Sequence, residues 1–265
     1  MSMGAHETPA RQDGQAALRM TKLGRRFGGI DAVKDVSLAV PKGSRFGVIG
    51  PNGAGKTTMF NLLSGELRPT SGRVELFGRN ITRLAPNRRV ALGLGRTYQI
   101  TRVFRDLTVL ENITLAVHGL RKSKLSMLRP WRSYSTAVEE AANVASTFGL
   151  GERLNITAEE LSHGEVRELE VLLTLAQKPE VLLLDEPAAG LSPAERVGIR
   201  ALLRSLPREL TLVMIEHDMD VLRDVVEHVA VLHFGELVMQ GTVAEVQEDA
   251  TVQELYLGKP KVAES

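Results

Sequence analysis

Short apolar runs alternate along this chain with amphipathic stretches. "RFGVIG" (residues 45–50) is a compact apolar run ending in a glycine-rich turn. "KTTMFNLLSG" follows, with Met59, Phe60, Leu62 and Leu63 on one helical face and Gly65 placed to stop it. The pattern predicts strand, loop, helix. "EVLLLDEP" and "LTLVMIEHD" read as further buried strands, each leading into a helical stretch, "PAERVGIRALLRSL" and "MDVLRDVVEHV". Near-continuous apolar strands alternating with helices predict a parallel sheet covered on both faces. "HVAVLHFGELVMQG" places a Gly between two apolar runs and predicts a hairpin.

Between about 107 and 177 strand signals vanish and helical ones dominate, including "AVEEAANVASTFGL" with a stop at Gly149 and Gly151. This predicts a helical insertion into an α/β core. "LSHGEVRELE" (residues 161–170) opens another helix, with Val166, Leu169, Leu172 and Leu173 at helical spacing. Its start exposes unpaired N–H groups and the positive end of a dipole, which suits an anion.

Composition narrows the class. A length of 265 residues at 43% apolar composition suits one large globular domain or two small ones. The formal charge of +1 gives no reason to expect nucleic acid, and the absence of cysteine excludes disulfides and thiolate metal sites. No apolar run approaches the roughly 18 residues of a membrane span. The first sixteen residues lack the apolar centre of a signal peptide and are predicted to be a mobile tail. "RKSKLSMLRPWRSYS" sets five Lys/Arg around Trp131, as a solvated loop or as a contact with a membrane-proximal partner.

The chemistry centres on "GPNGAGKTT", comprising Gly50, Pro51, Asn52, Gly53, Ala54, Gly55, Lys56, Thr57 and Thr58. The pattern G-x-x-x-x-G-K-[ST] arises by chance in roughly one chain in a hundred of this length, so its place between a predicted strand and helix is needed to give it meaning. The glycines let backbone N–H groups close around phosphate oxygens, Lys56 brings charge to the outer phosphates, and the Thr57 hydroxyl ligates Mg²⁺. Asp185 ends a buried strand and supplies a second Mg²⁺ anchor; Glu186 follows it. Adjacent strand residues point to opposite faces, so the chain must turn here for both to serve one ligand, and Pro187 is expected to place that turn. One acid then holds the metal while Glu186 orients or deprotonates a water.

In order and spacing these residues resemble the ATP-binding subunits of ABC transporters, from about residue 18 to 258. Phe27 sits where the family places an aromatic against adenine, and Gln99 in "RTYQ" matches the Q-loop, a metal and water contact. "LSHGE" matches the signature sequence, "GLS" after "DEPAA" the D-loop, and His217 in "IEHD" the switch histidine. The resemblance implies a P-loop NTPase core with a mostly parallel sheet, an N-terminal antiparallel β region and a helical subdomain at about 107–177. These would lie in one ATP-binding domain over 17–258, with tails at 1–16 and 259–265. It implies ATP and Mg²⁺ as ligands and a head-to-tail pair of ATP-binding subunits, in which Ser162 and Gly164 meet the γ-phosphate held by the other chain. It further implies membrane permeases as partners, a solute-binding protein acting indirectly, and a peripheral place on the cytoplasmic face of the membrane.

The signature carries His163 for Gly and Glu165 for Gln, and the D-loop has Ser192 where Asp is common. Glu165 is expected to point away from the phosphate. "RTYQ", "LTVLENI", "DEPAAGLSP", "IEHDM" and "YLGK" look most like the ATPases of branched-chain amino acid importers and their urea and amide relatives. A lipopolysaccharide-exporter ATPase shares the "YLG" ending. A soluble non-transport ATPase of this type usually carries a coiled coil or two cassettes in one chain, and a GTP switch or small-molecule kinase leaves the signature, Gln99 and His217 unexplained.

Overall fold

Two sheets organise the computed structural model, which describes residues 16–97, 103–119 and 135–257. Strands β1 (Ala16–Phe27) and β2 (Ile30–Pro41) form a long antiparallel pair. β4 (Ser71–Leu76) joins the other edge of β1, and β5 (Arg79–Asn80) lies outermost. The second sheet has the order β10-β9-β3-β8-β7-β6. Its strands β3 (Arg45–Ile49), β6 (Leu94–Arg96), β7 (Val181–Asp185), β8 (Thr211–Ile215) and β9 (His228–His233) run parallel. Strand β10 (Glu236–Thr242) returns antiparallel to β9 and makes the expected hairpin.

Every residue of β3, β7 and β8 is buried, which is why these segments are apolar runs rather than alternating ones. Helix α1 (Lys56–Ser64) follows β3 and packs Met59, Phe60, Leu62 and Leu63 into the core between the two sheets. The opposite face of the parallel sheet is covered by α3 (Val109–Gly119), α4 (Ser135–Thr147), α5 (His163–Leu175), α6 (Pro193–Ser205) and α7 (Met219–Val225). Among the described residues between β6 and β7, the only β pairing is an isolated bridge of Thr108 with Thr157.

Two local expectations shift. Helix α7 stops at Val225 instead of running through "VEHV": Val226 is extended, and the Glu227 N–H donates to the carbonyl of Arg45, which draws the chain into β9. Ala16 pairs with Pro41, so it belongs to β1 rather than to a tail. Gln99, Tyr98 and the basic segment around Trp131 lie outside the described residues.

The carboxyl end of α1 is held by a residue that the hydrophobic pattern does not flag. Arg89, in the short helix α2 (Pro86–Val90), is 1% exposed. Its guanidinium donates to the carbonyls of Leu62 (2.7 Å), Leu63 (2.6 Å), Leu84 (3.0 Å) and Thr82 (3.0 Å). The first two are orphan carbonyls of the α1 terminus. Burial pulls the Arg89 pKa down to about 10, which leaves it charged at neutral pH. Arg89→Met keeps the volume but strands these acceptors, so it should lower stability by about 3 kcal/mol in urea or thermal unfolding, against near-neutral change for an exposed arginine.

Candidate functional site

The loop from β3 to α1 is shaped by backbone packing. A Cβ at Gly50 would lie 2.1 Å from the carbonyl oxygen of Leu232, and one at Gly55, whose φ is +97°, would lie 2.3 Å from that of Ala32. Only glycine fits either position. Gly55 precedes α1 in a left-handed conformation, no side chain caps the helix, and no acidic residue stands in its first turn. The helix start borders a cleft lined by Asn52, Gly53, Ala54, Lys56, Thr57, Thr58 and Glu186. An uncapped helix start beside a lysine suits phosphate. The Lys56 ammonium donates to the carbonyls of Gly50 (2.6 Å) and Pro51 (3.0 Å). Its pKa is lowered, chiefly by burial, while the charges of Glu186 and Asp185 oppose the shift. Phe27 is 43% exposed, with the Arg25 guanidinium 4.5 Å above its ring.

Strand β7 ends at Asp185, which is 0% exposed. Its Oδ2 accepts from Arg96 at 3.1 Å, and its Oδ1 is buried with no hydrogen-bond partner. Burial raises its pKa, and Arg96 opposes the rise. An orphaned carboxylate oxygen suits a cation. No group of three or more His, Cys, Asp or Glu side chains able to hold a metal occurs among the described residues. A hard cation here would thus rely on one carboxylate, a hydroxyl such as that of Thr57, and phosphate oxygens, which is how Mg²⁺ is commonly bound.

Glu186 itself makes the turn that was expected at Pro187. Its φ is +49°, a left-handed conformation that costs an ordinary residue about 1–2 kcal/mol. The residue before a proline is steered away from the right-handed helical region. This turn sends the two neighbouring side chains to one region. Glu186 Oε1 lies 2.8 Å from His217 Nε2, so the sequence-predicted acid and switch histidine meet. Glu216 is buried beside His217 in the chain. Its Oε2 accepts from the Ala188 N–H (3.1 Å) and its Oε1 from those of His217 (2.8 Å) and Asp218 (3.2 Å), tying the loop after β7 to the loop after β8. Arg167 of α5 donates to the carbonyls of Asp185 (3.0 Å), Glu186 (2.8 Å) and Pro187 (3.0 Å). Arg96, Arg167 and Glu216 were not picked out from sequence.

The start of α5 departs from expectation. Ser162 caps it: its hydroxyl accepts from the Glu165 N–H (3.2 Å), and the Glu165 carboxylate accepts from the Ser162 N–H (2.9 Å). Glu165 also pairs with Arg153 at 3.0 Å. Burial alone would raise the Glu165 carboxyl; the Ser162 hydrogen bonds and Arg153 outweigh it and hold the pKa below its ordinary value. The resemblance implies that Gly164 meets a phosphate held by the other chain. Its N–H here donates to Glu195 Oε1 at 2.9 Å, and a Cβ at Gly164 would lie 2.8 Å from Glu195 Cγ. The other oxygen of Glu195 accepts from the N–H (2.9 Å) and hydroxyl (2.7 Å) of Ser192, the N-cap of α6. One carboxylate thus clasps two helix N-termini. "SPAE" is readable as a capping box, but its reach to α5 is not.

The sequence profile of the ABC transporter family matches residues 33–189. The branched-chain amino acid transport ATP-binding protein LivG of Salmonella typhimurium is 37% identical over 252 residues, covering 92% of this chain and 99% of that protein. BraF of Pseudomonas aeruginosa, of the same description, is 36% identical over 253 residues, covering 91% and 98%. An ATP-binding cassette of an ABC transporter, solved in its ADP conformation, superposes with a TM-score of 0.82 at 29% identity, covering 92% of this chain and 99% of that one.

The Glu195 clasp titrates. Hydrogen bonds from the side chain and backbone of Ser192, then from Gly164, lower the Glu195 pKa. A lowered carboxylate contributes stability that is full above the unfolded value and is lost as pH falls through the folded one. Urea unfolding of Glu195→Gln should show lower stability than wild type at neutral pH and a smaller loss on going to about pH 3. Parallel curves for the two proteins would show that the clasp adds nothing.

Proposed function

The chain belongs to the ABC transporter family, and from that premise we propose that it is the ATP-hydrolysing subunit of an importer for branched-chain amino acids or related small polar solutes, working through separate membrane permeases. The substrate class follows from the descriptions of the relatives, which match over nearly their whole length. The observation that carries the chemistry is the pairing of an uncapped helix start and Lys56 with a carboxylate, Glu186, that lines the same cleft and touches His217.

In this reading the N–H groups of residues 53–58 and the Lys56 ammonium bind the β- and γ-phosphates. Phe27 offers its ring to adenine. Thr57, Asp185 and Gln99 would hold Mg²⁺, which when bound neutralises developing phosphate charge. Glu186 orients a water and takes its proton as the oxygen bonds to the γ-phosphorus and the β–γ bridge breaks. His217 fixes the Glu186 carboxylate by hydrogen bonding. A second ATP-binding subunit completes each site with its Ser162 and Gly164 equivalents, and because Glu195 already holds the Gly164 N–H, the arriving phosphate competes for that donor. Among the described residues no helix is long and apolar enough to cross a membrane. A peripheral place against permeases on the cytoplasmic face, with a solute-binding protein acting on their far side, accords with this.

Glu186→Gln keeps shape and hydrogen bonding but removes the base. Mg²⁺-ATP should still bind, hydrolysis should fall by roughly 10²–10⁴-fold, and size-exclusion with ATP should show a trapped dimer. Hydrolysis at the wild-type rate would sink the assignment.

A further inference from the structure

We propose that Arg167 is a positioning residue for hydrolysis, setting the Glu186 carboxylate through the backbone of the turn that carries it. The inference rests on the reading of Glu186 as the base. The turn needs such a partner because it is left-handed at a non-glycine residue and presents three consecutive carbonyls, those of Asp185, Glu186 and Pro187, to the flank of α5. The opposite side of the turn is held separately: the Glu186 N–H donates to the Ile215 carbonyl (2.9 Å) and the Ala188 N–H to Glu216. On the α5 side Arg167 is the only side chain that donates to these carbonyls among the described residues.

The geometry distinguishes this from an ordinary ion pair. Arg167 gives its partner Glu170 a single nitrogen, Nη1, at 2.6 Å, while Nη2 donates to the carbonyls of Asp185 and Glu186 and Nε to that of Pro187. Arg–carboxylate pairs are frequently bidentate, with two parallel N–H···O bonds. Here the carboxylate aims the guanidinium and the backbone receives it. Both side chains are largely buried, at 13% and 8% exposure, so the fork is locked. A planar guanidinium spans three carbonyls in one orientation, which an ammonium on a flexible stem does not reproduce. Arg167 makes no hydrogen bond to the Glu186 carboxylate, whose own partner is His217. Its influence therefore passes through φ and ψ of the turn. Arg167 also stands little more than one turn after Ser162 on the same helix, so the helix that opens at the signature braces the catalytic turn of its own chain.

The test uses the full chain with Mg²⁺-ATP. In Arg167→Met, kcat should fall about tenfold or more, as expected when a reacting group is misplaced by a fraction of an ångström to one ångström, while KM and the affinity for a fluorescent ATP analogue stay within about twofold. Placed on Glu186→Gln, the same change should alter residual hydrolysis by less than about twofold, because residues acting as one unit are not additive. Arg167→Lys, with the charge but not the fork, should fall between wild type and Arg167→Met, and it carries the test with the same signs if the Met variant does not fold. The proposal is overturned if kcat stays within about twofold of wild type, if nucleotide affinity falls in step with kcat, or if the loss is as large on Glu186→Gln as on wild type. Wild-type hydrolysis by Glu186→Gln alone would overturn the assignment of the base instead.

Discussion

The site depends on one constraint: two carboxylates that are neighbours in sequence must face one cleft, yet an extended strand sends them to opposite sides. The chain meets it by ending β7 at Asp185 and turning left-handed at Glu186. Such a turn is unfavourable for a side chain with a Cβ, and it persists only where its surroundings over-determine it. Three contacts do so here: the Ile215 carbonyl beneath it, Glu216 through Ala188, and Arg167 from α5. Two come from consecutive residues at the end of β8 and the third from α5, so both the parallel sheet and a helix on its face are needed to hold one residue in place.

A second economy of the fold lies at the starts of α5 and α6. Both begin with a Ser and close a box with a Glu three residues on, which satisfies donors that a helix cannot satisfy internally. Glu195 goes further by giving one oxygen to each helix. Ser192, where the family commonly has Asp, keeps a side-chain oxygen at the N-cap, so the departure preserves the cap. Gly164 is small here because of Glu195 itself, since a Cβ would strike it before any ligand arrives.

What was legible in the sequence was local. The 50–57 motif, the three apolar strands and the β9–β10 hairpin each rest on periodicity or turn chemistry within a dozen residues, and each stands where the pattern placed it. The contacts that tune the site were not legible because they join distant segments. Arg96 meets Asp185 across 89 residues, Glu216 meets Ala188 across 28, and Glu195 meets Gly164 across 31. An arginine in a helix is usually a solvated one, and neither Arg89 nor Arg167 carries a local mark that distinguishes it. The end of α7 is not legible for the same reason: "VEHV" is helix-compatible in isolation, but the adjacent strand β3 claims it.

The electrostatics of the cleft give the same parts a direction of change. Burial lowers the Lys56 pKa and raises that of Asp185, so without a ligand both groups are pushed toward their neutral forms, and each relies on internal partners, the Gly50 and Pro51 carbonyls or Arg96. In the proposed reading, a nucleotide phosphate beside Lys56 and a cation beside Asp185 would each oppose the shift that burial causes. Such binding would offset, by opposite charge, a desolvation cost already present in the folded chain. The buried charges that would meet a metal-bound polyphosphate are disfavoured by burial without it, and the Gly50 and Pro51 carbonyls and Arg96 partly satisfy them.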